Sequence, residues 1–380
     1  MSLLRHAAGL LPDVRRTRTG SIGLHMAREA VHLVQLELRD ADVAGIRAWA
    51  SVPLPGGSDE IMQSPKRLRM LLRKALVSRG FKGRKVVSAM PHGKVRIHSV
   101  SYRATRDRSE AEEILHLMAE RLDGPLTDHV LDYLPVRDAT PDGERLALVA
   151  VSRREEVIGY LELLRQAGLD VAALEIGPAA IRRLVCAMSP AGDPENVLVI
   201  NAGDRASFMT MVSGRRLLFD QEIDFGERKL LELVAGALDM PLSLVRELVV
   251  GGGLEAARPT ALAEADISAA IVEILRPELK RLVAEIQRAF LYAASETRGG
   301  GVRRVYLVGS IARWPGADRQ LSTLAGMPVT NVPDPLAALP RKDGRSLPRR
   351  VIPEIAVATG LSLRDIHSGV VVQPERAEAQ

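Results

Sequence analysis

The sequence predicts an α/β protein of more than one domain, and three observations support this class. Segments rich in valine, isoleucine and leucine alternate repeatedly with segments whose apolar residues recur at helical spacing. The chain has 380 residues, 46% of them hydrophobic and 26% charged, which is enough for the cores of two or three domains. Two strand–turn–strand segments, residues 21–36 and 197–218, also open the two halves in the same way.

Composition and the order of charges restrict further which kinds of protein this chain can be. No apolar run approaches the roughly 18 residues that a membrane span requires, so we expect a soluble protein. The single cysteine, Cys186, lies in an apolar stretch and fits a buried residue in a reducing compartment. At the N-terminus arginines follow leucines, the reverse of a signal peptide, which predicts either a frayed tail or a weak surface anchor.

The first half contains predicted strands at residues 21–24, 30–37, 45–51, 85–89 and 95–102. Next come a helix opened by a capping box of Ser109 and Glu112, and strands at 129–135 and 146–151. Ser152 and Glu155 repeat the capping pattern, and Gly168 is predicted to close the helix that they open.

A basic amphipathic helix is predicted between the third and fourth strands. Residues 64–85 contain nine Lys or Arg and no acid. Its apolar stripe is Leu68, Leu71, Leu72, Ala75 and Leu76, and its opposite side carries Lys66, Arg67, Arg69, Arg73 and Lys74. This pattern is typical of a surface helix with one buried face, or else of a contact for an acidic partner or an anionic membrane surface. Nucleic acid is not expected, because no aromatic residues interleave the charges.

The second half begins with the strand that ends in Asn201, Ala202 and Gly203, where a glycine lets backbone N–H groups approach an anion. Helices are predicted at 228–238 and 242–250, followed by a long helix broken near Pro277 that continues to about 292. A strand at 305–308 then runs into Gly309 and Ser310, before a helix near 318–324. A small residue between a buried strand and a helix is where α/β proteins commonly receive a ligand.

Several segments follow one another along the chain in a characteristic order. They are SIGLHMAREAVHLVQL, KVVSAMP with VRIHSVSY, LRQAGLDVAALEIGPAAIRRL, VLVINAGDRASFMTMVSGRRLLFDQEIDFG, EIQRAFLY, VYLVGSIARWPGADRQLSTLAGMPV and EIAVATGLSLR. Together they resemble the type IV pilus assembly protein PilM family, which is related to the cell-division protein FtsA and to actin. The resemblance implies actin-like (ribonuclease H-like) duplicated domains, a small inserted subdomain and an interdomain nucleotide-type cleft.

The implied domain boundaries follow from these segments. We expect an N-terminal tail at 1–19, a first domain at 20–195 with the inserted subdomain at about 91–170, and a C-terminal tail at 367–380. The second domain is expected at 196–366, with a helical subdomain at about 229–300.

The sequence departs from the family pattern where the phosphates of a nucleotide would lie. His25 and Asn201 replace the two loop aspartates, and Ser310 replaces the second glycine of the adenosine loop. Magnesium in phosphate sites is usually held by carboxylates, and phosphoryl transfer depends on positioned charge. We therefore expect a degenerate ATP site and no enzyme, with ATP or ADP bound weakly or not at all and magnesium doubtful.

The resemblance still assigns candidate positions for a nucleotide. These are Gly23, His25, Ala27, Arg28, His32, Asn201, Gly203, Gly226, Glu227, Glu285, Arg288, Gly309 and Ser310. Arg28, His25 and His32 are candidates for metal-independent anion binding, and the alternative for His25 is a plain polar residue in a vestigial cleft. Glu285 and Arg288 would meet ribose and base, or else form a surface ion pair.

The function implied by the resemblance is that of a cytoplasmic scaffold at the inner-membrane face of a type IV pilus or related secretion complex. The expected partner is the cytoplasmic tail of a PilN-like membrane protein, with Met90, Val95 and Ile97 as candidate contacts. Pilus motor ATPases and self-association are further expected partners, and membrane association is expected through partners. The alternatives are an active actin-like ATPase that uses substituted ligands, and a filament-forming protein similar to FtsA.

Overall fold

The structure is a computed structural model that describes residues 18–39, 42–103, 108–137, 143–189, 195–254, 262–297, 299–334, 347–348 and 350–366. Residues 1–17 of the N-terminal tail predicted at 1–19, and the C-terminal tail predicted at 367–380, lie outside the described residues, whereas residues 18 and 19 belong to β1. The strands are β1 (Arg18–Met26), β2 (Ala30–Arg39), β3 (Asp42–Pro53), β4 (Lys85–Ala89), β5 (Arg96–Arg103), β6 (His129–Arg137), β7 (Glu144–Arg153), β8 (Asp170–Glu175), β9 (Asn196–Ala202), β10 (Ser207–Ser213), β11 (Arg216–Ile223), β12 (Val302–Gly309) and β13 (Val329–Asn331). The helices are α1 (Gly57–Met62), α2 (Pro65–Ser78), α3 (Glu110–Ala119), α4 (Arg154–Gln166), α5 (Gly177–Met188), α6 (Glu227–Leu238), α7 (Leu242–Gly252), α8 (Leu262–Glu296), α9 (Ala317–Ala325) and α10 (Ala356–Ser362).

Two five-stranded sheets share one plan, as the two matching strand–turn–strand segments predict. The first sheet has the order β3-β2-β1-β4-β8 and the second the order β11-β10-β9-β12-β13. In each sheet three antiparallel strands are followed by two parallel ones. Because the plans match, His25 at the end of β1 pairs with His32 on β2, and Asn201 at the end of β9 pairs with Phe208 on β10.

A third sheet lies within the predicted inserted subdomain. Its order is β5-β7-β6, so β7 is central and β5 and β6 are edge strands among the described residues. Helix α3 packs on β5, and its first turn carries the predicted capping box: the Ser109 hydroxyl accepts from the Glu112 N–H, while the Glu112 carboxylate accepts from the Ser109 N–H at 2.8 Å.

The second predicted capping box is wrong. Helix α4 begins one residue later, with Arg153 at its N-cap and no side-chain cap. Strand β7 pairs with its neighbours as far as Arg153, which holds Ser152 in the ladder, and the Ser152 hydroxyl donates to the Lys94 carbonyl at 2.7 Å. The predicted end of this helix is confirmed, since Gly168 has a φ of 86°.

The predicted break at Pro277 is also wrong, because α8 runs without interruption through it. Its buried residues continue in one stripe across the proline: Ile271, Leu275, Leu279, Leu282, Ile286, Ala289 and Ala293. Packing of this stripe against α6 and the second sheet keeps the helix continuous despite the lost backbone hydrogen bond.

The chain returns to the first sheet at its C-terminal end. Helix α10 packs on β1 and α5, and the Ser21 N–H donates to the Asp365 carboxylate at 2.7 Å. Gly23 permits this close approach, since a Cβ atom there would lie 2.0 Å from the Ala358 carbonyl oxygen. The sequence prediction assigns residues 196–366 to the second domain, whereas this last helix covers the first.

None of the helices that the structure describes combines the length and the apolar character needed to cross a membrane. Helix α2 matches the predicted basic amphipathic helix: Leu68, Leu72 and Ala75 are buried, and its cations lie on the outer side.

Candidate functional site

The candidate site is a cleft between the two five-stranded sheets, where β1, β4, β9 and β12 end. Its cavity has a volume of about 310 Å³. Eight of the predicted nucleotide positions line this cavity: His25, Ala27, Arg28, His32, Asn201, Gly203, Gly309 and Ser310. The topology therefore brings these eight residues together from three separate segments of the chain.

Three histidines occupy the first-domain side of the cleft. His25 stacks on His32 with ring centroids 5.9 Å apart and meets the edge of His92 at 6.2 Å. Burial lowers the pKa of His25 well below its usual value, and the neighbouring His32 and His92 lower it further. Burial and Arg313 lower the pKa of His32 to about 4. Desolvation in the cleft also lowers the pKa of His92, which is more exposed than His25 and His32. His25 and His32 are therefore neutral at physiological pH.

His92 also crosses the cleft. Its ring stacks on Phe208 of the second sheet, with centroids 3.9 Å apart and planes 21° from parallel. Side chains from the two domains thus touch each other next to the ends of β1 and β9, where the resemblance places a nucleotide's phosphates.

Ion pairs join the two domains beside these rings. Arg28 lies 2.9 Å from the Asp204 carboxylate, and Arg246 of α7 donates to Glu29 at 2.8 Å. Arg313, in the turn after β12, donates to Glu227 at 2.8 and 2.9 Å. Arg313 also donates to Glu354 at 3.0 Å. These residues together are named the interdomain ion-pair network: Arg28, Glu29, Asp204, Glu227, Arg246, Arg313 and Glu354.

Glu227 is the buried centre of the interdomain ion-pair network. Its side chain is fully buried, and it accepts hydrogen bonds from Arg313 and from the Trp314 indole N–H at 2.8 Å. A buried carboxylate needs such partners, because an unpaired charge in the interior is very costly. The structure therefore uses Glu227 to hold α6 against the turn after β12.

The carboxylates of the cleft are paired with arginines, and the ends of β1 and β9 carry neutral residues. Oxygens of Glu29, Asp204 and Glu227 lie within 4.8 Å of one another, which is a spacing suitable for a cation. Arginine guanidinium groups already face each of these carboxylates and would repel a divalent ion. At the strand ends themselves, His25 and Asn201 offer neutral groups in place of the carboxylates that magnesium prefers.

Five predicted nucleotide positions lie outside the cavity lining. Gly23 packs under α10, and Gly226 is the N-cap of α6, where a Cβ atom would lie 2.5 Å from the Arg205 backbone. Glu227 lies at the centre of the interdomain ion-pair network instead of lining the cavity. Glu285 and Arg288 pair with each other on α8, which matches the surface ion pair considered for them, and their contact with a nucleotide stays a prediction.

The three candidate partner contacts are not exposed. Met90 is 6% exposed in the core of the first domain, and Val95 and Ile97 are half-buried against cores. A second depression, with a volume of about 250 Å³, lies nearby at the inserted subdomain. It is lined by Lys94, Arg96, His98, Arg121, Ser152 and Arg153 among others, and it borders the edge strand β5.

The sequence prediction missed His92, Phe208, Arg246 and Arg313 as cleft residues. His92 follows β4 closely, and Arg313 follows β12. Both therefore stand near the carboxyl ends of parallel strands, where ligand-site residues collect. Arg246 has no such local signal, because only the packing of α7 brings it to Glu29.

Duplicated sheets, an inserted subdomain and a cleft between the two halves define an actin-like fold, and solved structures agree. The "PilM-PilN type IV pilus biogenesis complex" superposes with a TM-score of 0.73 at 23% identity, covering 92% of this chain and 99% of that one. The ethanolamine utilization protein EutJ from Carboxydothermus hydrogenoformans superposes with a TM-score of 0.52 at 14% identity, covering 93% of this chain and 90% of that one.

The chain belongs to the type IV pilus assembly protein PilM family, whose sequence profile matches residues 23–366. No curated protein matches the chain by sequence. The family match confirms the resemblance that the sequence motifs indicated, and with it a role in type IV pilus assembly.

Proposed function

We propose that this protein is a cytoplasmic, actin-like scaffold at the inner-membrane face of a type IV pilus or related secretion machine. It binds the cytoplasmic tail of a PilN-like membrane protein. The observation that carries the proposal is the family match over residues 23–366, and the similar fold of a protein solved as a PilM–PilN complex supports it. Pilus motor ATPases and further copies of the chain are additional partners under this proposal.

The partner tail binds in the depression beside the edge strand β5. An edge strand presents unpaired backbone groups, and an extended peptide that adds to it gains main-chain hydrogen bonds together with side-chain contacts. Arg96 lies on this strand, and Arg121 at the end of α3 donates to the Ser99 carbonyl at 3.2 Å. These cations favour acidic or carbonyl-rich segments of the tail.

The test is a binding titration of the full-length protein with labelled peptides from the cytoplasmic tails of inner-membrane pilus proteins. We expect one peptide to bind, and the double variant Arg96→Glu with Arg121→Glu to weaken that binding at least about tenfold. The control is Arg303→Glu, which reverses an exposed charge on β12, outside this depression. If none of the peptides binds, the scaffold role is contradicted. If the double variant binds the peptide as tightly as the unaltered protein does, only the assignment of this groove is contradicted.

The same scaffold has a degenerate ATP site. Neutral His25 and Asn201 at the strand ends, the His92–Phe208 stack and arginine-paired carboxylates support this proposal. Calorimetric titration of ATP, with and without magnesium, is expected to give no magnesium-dependent binding and no turnover. Tight magnesium-dependent binding, with turnover that His25→Ala or Asn201→Ala abolishes, would establish the active ATPase instead.

A further inference from the structure

We propose that the outer face of α2 is a docking surface for an anionic lipid bilayer, so that this chain contacts the membrane directly as well as through partners. The outer face is defined as Lys66, Arg69, Met70, Arg73, Lys74 and Val77. The proposal does not depend on the tail-binding groove, which lies on the inserted subdomain.

The apolar centre of this face is the first observation. Met70 is 66% exposed and Val77 is 77% exposed, although both are large apolar residues. They are seven positions apart, so they lie two turns apart on one side of the helix, about 10 Å from each other along its axis. This side is directly opposite the stripe of Leu68, Leu72 and Ala75 that packs into the first domain.

Cations flank that apolar centre on both sides. At 100° per residue, Lys66 and Arg73 fall on one side of Met70 and Val77, and Lys74 falls on the other. Arg67 pairs with Glu60, whereas Lys66, Arg69, Arg73 and Lys74 form no ion pair with any residue that the structure describes. Their long side chains can reach phosphate groups while the two apolar residues enter the boundary of the acyl chains.

The chain segment that follows α2 is also cationic. Lys82 and Lys85 share a surface depression with Arg18 and Arg364, in which Asp365 already accepts from the Ser21 N–H. Residues 64–85 hold no acid, so no carboxylate of this segment neutralises the surface. Several cations near an anionic bilayer act together, each adding attraction within a Debye length.

A membrane fits this face better than an acidic protein does. The face is a convex helix surface with the apolar residues Met70 and Val77 at its centre. A lone cationic patch would suit any polyanion, whereas cations that surround exposed apolar residues are typical of helices that lie in a membrane interface.

The experiment is co-sedimentation of the full-length protein with vesicles of phosphatidylglycerol and phosphatidylethanolamine, compared with phosphatidylcholine vesicles. We expect binding to the anionic vesicles only. The variant Arg73→Glu with Lys74→Glu is expected to weaken it at least about twentyfold, because each cation contributes about fivefold near an anionic surface. Met70→Gln with Val77→Gln is expected to weaken it about tenfold through lost apolar burial.

Two controls match these variants. Arg215→Glu with Arg303→Glu changes the net charge equally at exposed positions of the second domain, and Ile158→Gln removes an exposed apolar residue from α4. Both are expected to bind like the unaltered chain. The proposal is overturned by equal binding to both lipid compositions, by no binding, or by loss of binding on removal of residues 1–17 while the α2 variants bind normally. Capture of an acidic protein by the α2 face without vesicle binding would overturn it in favour of that partner.

Discussion

Glu227→Ala is expected to lower the free energy of unfolding by about 3 kcal/mol or more. The change removes the buried acceptor for two hydrogen bonds from Arg313 and one from the Trp314 indole. The indole N–H then has no acceptor in the interior, and Arg313 keeps only Glu354 and a longer contact with Glu29. Urea unfolding at neutral pH, followed by circular dichroism, measures the loss.

The matched control is Glu285→Ala, which also separates a glutamate from an arginine. That pair lies at i, i+3 on α8, and Arg288 is 67% exposed, so the expected loss is below about 1 kcal/mol. Glu227→Gln keeps the shape and an acceptor for the indole, so it is expected to fall between the two. Equal losses for the Glu227 and Glu285 variants would contradict the structural role of Glu227.

The buried histidines are expected to make the protein less stable as the pH falls from 6.5 toward 4. The folded-state pKa of His32, about 4, lies below the usual value of 6.5, and that of His25 is also lowered, so the unfolded chain binds more protons in this range. Stability from these groups is complete above pH 6.5 and is lost as the pH falls. Each contributes a slope of about 1.4 kcal/mol per pH unit.

The Asp220 carboxyl has the opposite effect on how stability depends on pH. Burial raises the pKa of Asp220 to about 7, so its contribution to stability is present at low pH and is lost as the pH rises through 7. The pH dependence of the whole protein is therefore a difference between the histidine and carboxyl contributions. Single variants separate the two.

Unfolding free energies of His32→Gln and Asp220→Asn, measured between pH 4 and 7, test both signs. His32→Gln is expected to flatten the acid loss by about 1.4 kcal/mol per pH unit, and Asp220→Asn to steepen it by a similar amount. His116→Gln, which removes an exposed histidine of α3, is the control with an unchanged profile. A His32→Gln profile parallel to that of the unaltered protein would contradict the neutral state of the buried His32.

Local signals made the duplicated sheets predictable. The alternation of apolar residues and the small-residue turn after Asn201 identify both strand–turn–strand segments, and the matching plans place His25 and Asn201 at corresponding strand ends. The same local reasoning failed at Ser152 and Pro277. In both places packing between distant segments overrides a valid short-range pattern.

The unpredicted part of the site consists of long-range pairs. Glu227 and Arg313 are 86 positions apart, and Arg246 and Glu29 are 217 apart, so no spacing rule relates them. The family resemblance assigned Glu227 to a nucleotide site because Glu227 occupies a matching position in the family's motif. A matching position in a motif does not indicate which neighbouring residues the side chain contacts.

The return of α10 to the first sheet has a consequence for how the protein is made. The hydrogen bond between Ser21 and Asp365 joins residues 344 positions apart, and α10 covers the strand that contains Gly23. During synthesis the first domain therefore emerges from the ribosome without one of its own layers. It stays incomplete until α10 has been translated. Contacts of such high sequence separation form late, so the surface of β1 that α10 covers stays exposed until then and is where chaperones would act.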